Sequence, residues 1–250
     1  MLFSINVNPT ITLRVNTLKI TRDELISELE KKGVKAEKTK LSQNGIRLTK
    51  NVAISELDEL KNGLCYVQDE ASQLCVAALG AKDGETVIDT CSCPGGKSFG
   101  IGMDMNNRGQ LISLDLHESK LSLVKSGAEK LGISILEASV HNGTLPKEEF
   151  IGKADRVLTD APCSGLGVIA KKPDLRYKSY EDISRLPDIQ YKILCSSSKY
   201  VKSSGILVYS TCTLNKDENE GVVNRFLNEN SEFSLCSDGM PSGEIGRAHV

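Results

Sequence analysis

No stretch of the sequence approaches the roughly 18 uninterrupted apolar residues of a membrane-spanning helix. The start, MLFSINVNPT, lacks the charged-then-apolar order of a secretory signal. These absences lead us to expect a soluble, cytoplasmic protein with no membrane partner. Its eight cysteines are spread over 250 residues without an export signal, so reduced thiols are expected rather than a disulfide framework. Cys91 and Cys93 stand one residue apart with no second Cys or His pair downstream. The usual zinc spacing is therefore missing, and no metal is expected. Strong positive charge is also lacking: the formal net charge is −2, whereas phosphate contacts leave a basic footprint. Two local regions run against that balance. Residues 1–61 hold eleven Lys and Arg against eight Asp and Glu, and residues 171–178 (KKPDLRYK) set an aromatic ring among cations. Internal repeats and low-complexity segments are absent.

What is present is enough chain for one full-sized core and a smaller satellite. Residues 1–63 read as a small α+β module. Residues 11–18 alternate as a strand, Thr21 and Glu24 offer a capping box for a helix to about Lys32, and Gly33 stops it. Strand-like residues 34–40 and 45–49 follow, then a short helical stretch, ISELDEL, ended at Gly63. Residues 64–68 look extended, and 69–79 read as a helix with Leu74, Ala77 and Ala78 on one face. From residue 86 the texture changes. Apolar, β-branched runs at 86–90, 110–116, 134–140, 155–161 and 205–211 alternate with helices after Gly96, over 118–131 and near 181–203. That pattern predicts an α/β domain over residues 64–243, a mostly parallel sheet with helices on both faces. Such sheets bind ligands at the carboxyl ends of their strands.

The chemistry-bearing residues sit at those ends. The string DTCSCPGGK (89–97) runs from a strand through two glycines into a helix; glycines admit a ligand close to the backbone, and a helix start offers unpaired N–H groups to an anion. A nucleotide-phosphate loop would need glycine five positions before Gly96, where Cys91 stands. Asp115 ends the next strand about twenty residues on, where a carboxylate can accept from both ribose hydroxyls of a nucleoside cofactor. Past two further strands come Asp160 and Cys163 (DAPCSG) and Cys212 (STCT). Two cysteines so placed suit covalent chemistry on an electron-poor ring, one thiolate to add and a second group to help undo the adduct. Asn215 and Glu218, in capping-box spacing, signal a helix whose positive end would favour a Cys212 thiolate. Cys65, Cys75, Cys195 and Cys236 are assigned to packing.

The strings DTCSCPGGKS, DAPCSG and YSTCT, in this order and spacing, resemble the RNA cytosine-5 methyltransferases of the Sun/Fmu and Nol1/Nop2 superfamily, and within it the bacterial enzymes for small-subunit ribosomal RNA. The likeness runs from about Ile11 to Phe233. It implies a class I S-adenosylmethionine-dependent methyltransferase fold, Rossmann-like, preceded by an RNA-binding module. The cofactor would be S-adenosylmethionine. By the resemblance Cys91, Ser92, Cys93, Pro94, Gly95, Gly96 and Lys97 lie along its methionine portion, Asp115 on its ribose, Asn142 near its adenine, and Asp160 beside it. Cys212 is implied as the nucleophile that adds to C6 of cytosine, Cys163 as the helper in release, and Asp160 and Lys97 as neighbours of the target base. The implied partner is RNA, 16S ribosomal RNA first, acted on by a monomer. The same chemistry on transfer RNA or another ribosomal site stays open, as does a non-catalytic RNA-binding assembly factor. Asn142 replaces the aspartate usual in the family. The helical N-terminal domain and terminal strand hairpin of the bacterial relatives are not found in the sequence. Residues 244–250 (EIGRAHV) can be encoded in frame by a short sequencing adapter and are expected to be a non-native tail.

Overall fold

The computed structural model describes residues 10–49 and 52–236. The first unit runs β1 (Thr12–Val15), α1 (Arg22–Lys31), β2 (Ala36–Lys38), β3 (Gly45–Leu48), α2 (Asp58–Lys61) and β4 (Cys65–Val67). Helix α1 opens on the expected capping box: Glu24 N donates to Thr21 Oγ1 at 3.3 Å, and the Glu24 carboxylate accepts from Thr21 N at 2.9 Å. It buries Leu25 and Leu29 against Leu13, Val15, Ile46 and Leu48. The strand order is β2-β3-β1-β4 with every neighbour antiparallel, a βαββαβ unit of ferredoxin-like topology. Strand β4 lies beyond residue 63 and pairs with β1, so this sheet takes in the extended stretch after Gly63.

The second unit comprises α3 (Glu70–Leu79), β5 (Thr86–Asp89), α4 (Gly96–Asp104), β6 (Gln110–Asp115), α5 (Glu118–Leu131), β7 (Leu136–Val140), β8 (Ala154–Asp160), α6 (Tyr180–Ser184), α7 (Leu186–Ser198), β9 (Val201–Ser210) and α8 (Glu220–Glu229). Its sheet, ordered β7-β6-β5-β8-β9, is parallel throughout, as the sequence leads one to expect. Ile88, Leu114 and Val157 are fully buried on its central strands. Strand order reverses at β5: β6 and β7 lie to one side, β8 and β9 to the other. A crevice therefore opens past the carboxyl ends of β5 and β8.

Three local expectations need correction. The helix read over 181–203 is two helices that part at Arg185, because Pro187 in the first turn of α7 suits a helix start and not a helix interior. Strand β9 begins at Val201, four residues before the expected 205. On α3 the buried residues are Gln73, Leu74, Val76 and Leu79, while Ala77 is exposed. Gln73 turns inward because its Nε2 donates to Leu13 O at 3.2 Å and to Gln68 O at 3.1 Å. The terminal hairpin sought after Phe233 would lie beyond the described residues save 234–236, and the tail at 244–250 lies wholly outside them; among the described residues β9 is one edge of the sheet and β7 the other.

Side chains of β1 and the turn after it lock the two units together. Arg14 Nη2 donates to Asp104 Oδ1 at 2.7 Å and to Gly100 O at 3.3 Å on α4. Asn16 Nδ2 donates to Gly63 O and Leu131 O, each at 2.8 Å. From β4, Tyr66 OH donates to Gly96 O at 2.8 Å, which brings the antiparallel unit against the start of α4.

Candidate active site

Asp89 ends β5 and is 1% exposed. Its carboxylate accepts from Ser98 Oγ at 2.6 Å and from Cys91 N at 3.4 Å, tying the loop to the first turn of α4. Burial pushes Asp89 up to about 7, against the pull of Ser98. Ser92 N donates to Leu114 O at 2.9 Å and Gly95 N to Ser92 O at 2.6 Å; the Cys93-Pro94 peptide is cis. Gly95 has φ +106°, and a Cβ there would stand 2.4 Å from the Phe99 ring, so glycine alone fits this turn. The loop delivers the chain into α4, whose first N–H groups have no intrahelical partner.

Asp115 closes the loop from the neighbouring strand. Its Oδ2 accepts from Cys93 N and its Oδ1 from His117 N, both at 3.0 Å. Each oxygen keeps a further lone pair for a ligand. A cleft of about 300 Å³ is lined here by Cys91, Cys93, Asp115, Asn142 and Asp160. Asn142, in the loop after β7, uses Oδ1 to accept from Thr144 N at 3.1 Å and Thr144 Oγ1 at 2.8 Å, which leaves its Nδ2 as a donor. A larger cleft, about 680 Å³, runs along β9 and α8 between Leu194, Val223, Phe226 and Phe233. It lacks the strand-end carboxylates, so chemistry selects the smaller one.

Beside that cleft β8 ends on Asp160 and β9 on Ser210. Lys97 Nζ stands 2.5 Å from Asp160 Oδ2, and Ser210 Oγ donates to Asp160 Oδ1 at 2.8 Å. Burial pulls the Lys97 ammonium down, but Asp160 more than offsets this and the net shift is upward, so Lys97 stays an ammonium. The loops that follow bring Cys163 Sγ to 3.0 Å from Cys212 Sγ, and Cys212 N donates to Cys163 Sγ at 3.2 Å. The Cys163 thiol, hydrogen-bonded to Cys212, pulls Cys212 down to about 7 against burial and the Asp160 charge, with help from Lys97 and Lys172. For the same reason Cys163 is pushed far up, its proton being the one shared in that bond. The two sulfurs share one hydrogen bond, and Cys212 is the more acidic thiol of the pair.

The helix expected after Cys212 is not what supports that thiolate. Asn215 caps only a 3-10 turn, Lys216–Glu218, its Oδ1 accepting from Asp217 N at 3.2 Å, and α8 starts at Glu220. Glu218 instead turns inward and is fully buried. Its Oε2 accepts from Ser164 N at 2.8 Å and Gln190 Nε2 at 2.9 Å, its Oε1 from Asn215 Nδ2 at 3.1 Å. Ser164 Oγ and Thr213 Oγ1 lie 2.6 Å apart. These bonds fix the two cysteine loops to each other through one carboxylate.

Of the residues the sequence singles out, Cys91, Cys93, Asp115, Asn142 and Asp160 line the cleft. Ser92, Pro94, Gly95 and Gly96 shape the loop behind it, with Ser92 buried. Lys97, Asp160, Cys163 and Cys212 form one cluster. Sequence reasoning missed Glu218 as a brace, because its spacing from Asn215 also reads as a cap, and it missed Gln190, a buried polar residue of α7 whose partners lie in the two cysteine loops. Among the four cysteines assigned to packing, Cys65 is buried and its thiol is pushed up to about 12. Cys75 lies near Lys97, Asp160 and Ser210. Cys236 is exposed, so packing does not describe it.

Residues 76–248 match the family described as 16S rRNA methyltransferase RsmB/F. The chain belongs to the RsmB/F family. Residues 1–55 match the ferredoxin-like domain of RsmF/B-like methyltransferases, in accord with the βαββαβ unit. The probable ribosomal RNA small subunit methyltransferase B of Bacillus subtilis (strain 168) is 42% identical over 229 residues, which cover 91% of this chain and 51% of that protein. The chain thus spans about half the length of the curated relatives it matches. Among solved structures, PH0851 aligns with a TM-score of 0.89 at 33% identity, covering 93% of this chain and 53% of its own. A methyltransferase homologue from Pyrococcus horikoshii aligns at 0.79 and 29% identity, covering 91% and 72%. The RsmB/F fold is a class I methyltransferase fold, and the family's cofactor is S-adenosylmethionine. The donor set here fits that molecule: a carboxylate for a vicinal diol at Asp115, an amide donor for a base at Asn142, and helix-start N–H groups for a carboxylate at α4.

Proposed function

We propose that this chain methylates C5 of cytosine in RNA, small-subunit ribosomal RNA in the first place, through a covalent bond between Cys212 and C6 of the base. The observation that carries the reading is the thiol pair, 3.0 Å apart beside the hydrogen-bonded Lys97–Asp160 pair at the mouth of the cofactor cleft. Cytosine C5 is a poor nucleophile until something adds at C6. The Cys212 thiolate supplies that electron pair, and C5 becomes enamine-like. The Asp160 carboxylate, held by Lys97 and Ser210, accepts from the exocyclic amino group of the base, and the Lys97 ammonium offsets the negative charge that addition puts on the ring. Bound S-adenosylmethionine supplies an electrophilic methyl group. Once Cys212 is bonded to carbon no thiolate faces Cys163, and the interaction that pushed the Cys163 thiol up is gone. Cys163 then gives its own proton to water and, as a thiolate, takes the C5 proton; the C5–C6 double bond re-forms as the Cys212–C6 bond breaks and Cys212 leaves as a thiolate. The cofactor cleft would hold its ligand through residues 91–97, Asp115 and Asn142, and the ferredoxin-like unit would hold RNA beside it. The target base must be unpaired or turned out of its stack to reach the thiols.

Labelled methyl transfer from S-adenosylmethionine to deproteinised 16S ribosomal RNA, followed by bisulfite mapping, tests the proposal. Label at a bisulfite-resistant cytosine is expected with the wild-type chain and none with Cys212→Ala. Label confined to transfer RNA would correct the substrate. Saturable RNA binding with no transfer would favour a non-catalytic assembly factor and overturn the reaction.

A further inference from the structure

Residues 171–180 cross from the Cys163 loop to α6, and the crossing is braced on the side of the thiol pair. Leu175, in the 3-10 turn Pro173–Tyr177, packs on Gly165, where an added Cβ would stand 2.8 Å from Leu175 Cδ1. Lys178 Nζ donates to Cys163 O at 3.3 Å, and Lys171 pairs with Asp69. Lys172 is close enough to Cys212 to help hold its thiolate. Against this bracing, Tyr177 and Tyr180 are 88% and 84% exposed. Two open aromatic rings are therefore carried on a cationic segment next to the nucleophile, although each would be less costly buried. Cations that follow a phosphate backbone, interleaved with aromatic faces, suit unpaired nucleic acid, because every base has a π-face. Turning a base out also leaves its neighbours without a stacking partner, which a protein ring can replace.

Resting on the RNA reading above, we propose that residues 171–180 form a nucleotide-binding strap. Unpaired nucleotides flanking the target cytosine stack on Tyr177 and Tyr180, while Lys172 and Lys178 face their phosphates. Binding of the full chain to a fluorescein-labelled single-stranded RNA of roughly twelve nucleotides with a central cytosine, read by anisotropy, tests this. A duplex of the same sequence serves as the comparison, and the Cys212 alkylation rate as a check that the site is intact. Tyr177→Ala and Tyr180→Ala each weaken single-strand binding about five- to a hundredfold and leave the duplex and the alkylation rate unchanged. Tyr177→Phe and Tyr180→Phe keep wild-type affinity. Wild-type affinity in both alanine variants would overturn the strap and leave the RNA reading standing. Phenylalanine variants as weak as alanine would overturn stacking in favour of the hydroxyls. Failure of the wild-type chain to bind either RNA would overturn the RNA reading and the strap with it.

Discussion

Replacing Cys163 by alanine removes the hydrogen bond that does most to hold Cys212 as a thiolate. With Cys163 in place the Cys212 thiol lies at about 7 against an ordinary value of 9.0. Without it, burial and the Asp160 charge both raise the thiol, and only Lys97 and Lys172 oppose them. The expected value is therefore near or above 9, a change of about two pH units, or about 2.7 kcal/mol between the two protonation states. At neutral pH the thiolate fraction falls from about one half to about one per cent. Iodoacetamide labelling across pH, read by mass spectrometry on the Cys212 peptide so that exposed Cys236 does not contribute, measures this directly. The midpoint moves about two units alkaline in Cys163→Ala. In Cys163→Ser, whose hydroxyl still donates, much of the depression remains. An unchanged midpoint in Cys163→Ala would refute the account of thiolate stabilisation.

Asp115→Ala weakens S-adenosylmethionine binding by about 1.5–3 kcal/mol, roughly ten- to a hundredfold, with the fold intact; equal affinity by calorimetry would remove the ribose assignment. Arg14→Ala leaves Asp104 half-buried without its partner and costs about 3–5 kcal/mol of stability in urea. A loss well under about 1 kcal/mol would mean that the joint between the two units does not depend on this pair. Asp89, raised to about 7 from 3.8, stabilises the fold in its protonated form. That contribution is complete below pH 3.8 and is lost as pH rises through about 7, up to about 4 kcal/mol over the window. Asp89→Asn flattens this slope in urea midpoints taken across the window; an unaltered slope would contradict a raised Asp89.

The sequence made some elements legible because the signal for them is local. Helix α5 occupies residues 118–131 as its periodicity requires, with Leu121, Val124, Ala128 and Leu131 buried. The Thr21–Glu24 box opens α1 where expected, and the strand ends that carry Asp89, Asp115 and Asp160 follow from β-branched runs. Pairing is not local. Residues 64–68 look extended, which says nothing about which sheet receives them, so the pairing of β4 with β1 had to come from the fold. The same holds for Gln73, whose partners lie on β1 and in the turn before α3. In the site, the motifs named Cys163 and Cys212 but not their relation. That relation depends on Glu218, Ser164 and Thr213, whose side chains bond across some fifty residues of sequence. A carboxylate that reads as a cap in one dimension is a brace in three.

Covalent trapping tests the central claim most directly. Each variant is incubated with labelled RNA and S-adenosylmethionine and run on a denaturing gel. Cys212→Ala forms no retained band, because nothing adds to C6. Cys163→Ala gives a retained band and at most one methyl per chain, because the adduct forms and is not released. A band with Cys212→Ala and none with Cys163→Ala would reverse the roles, and full turnover without a band in both variants would contradict the covalent mechanism.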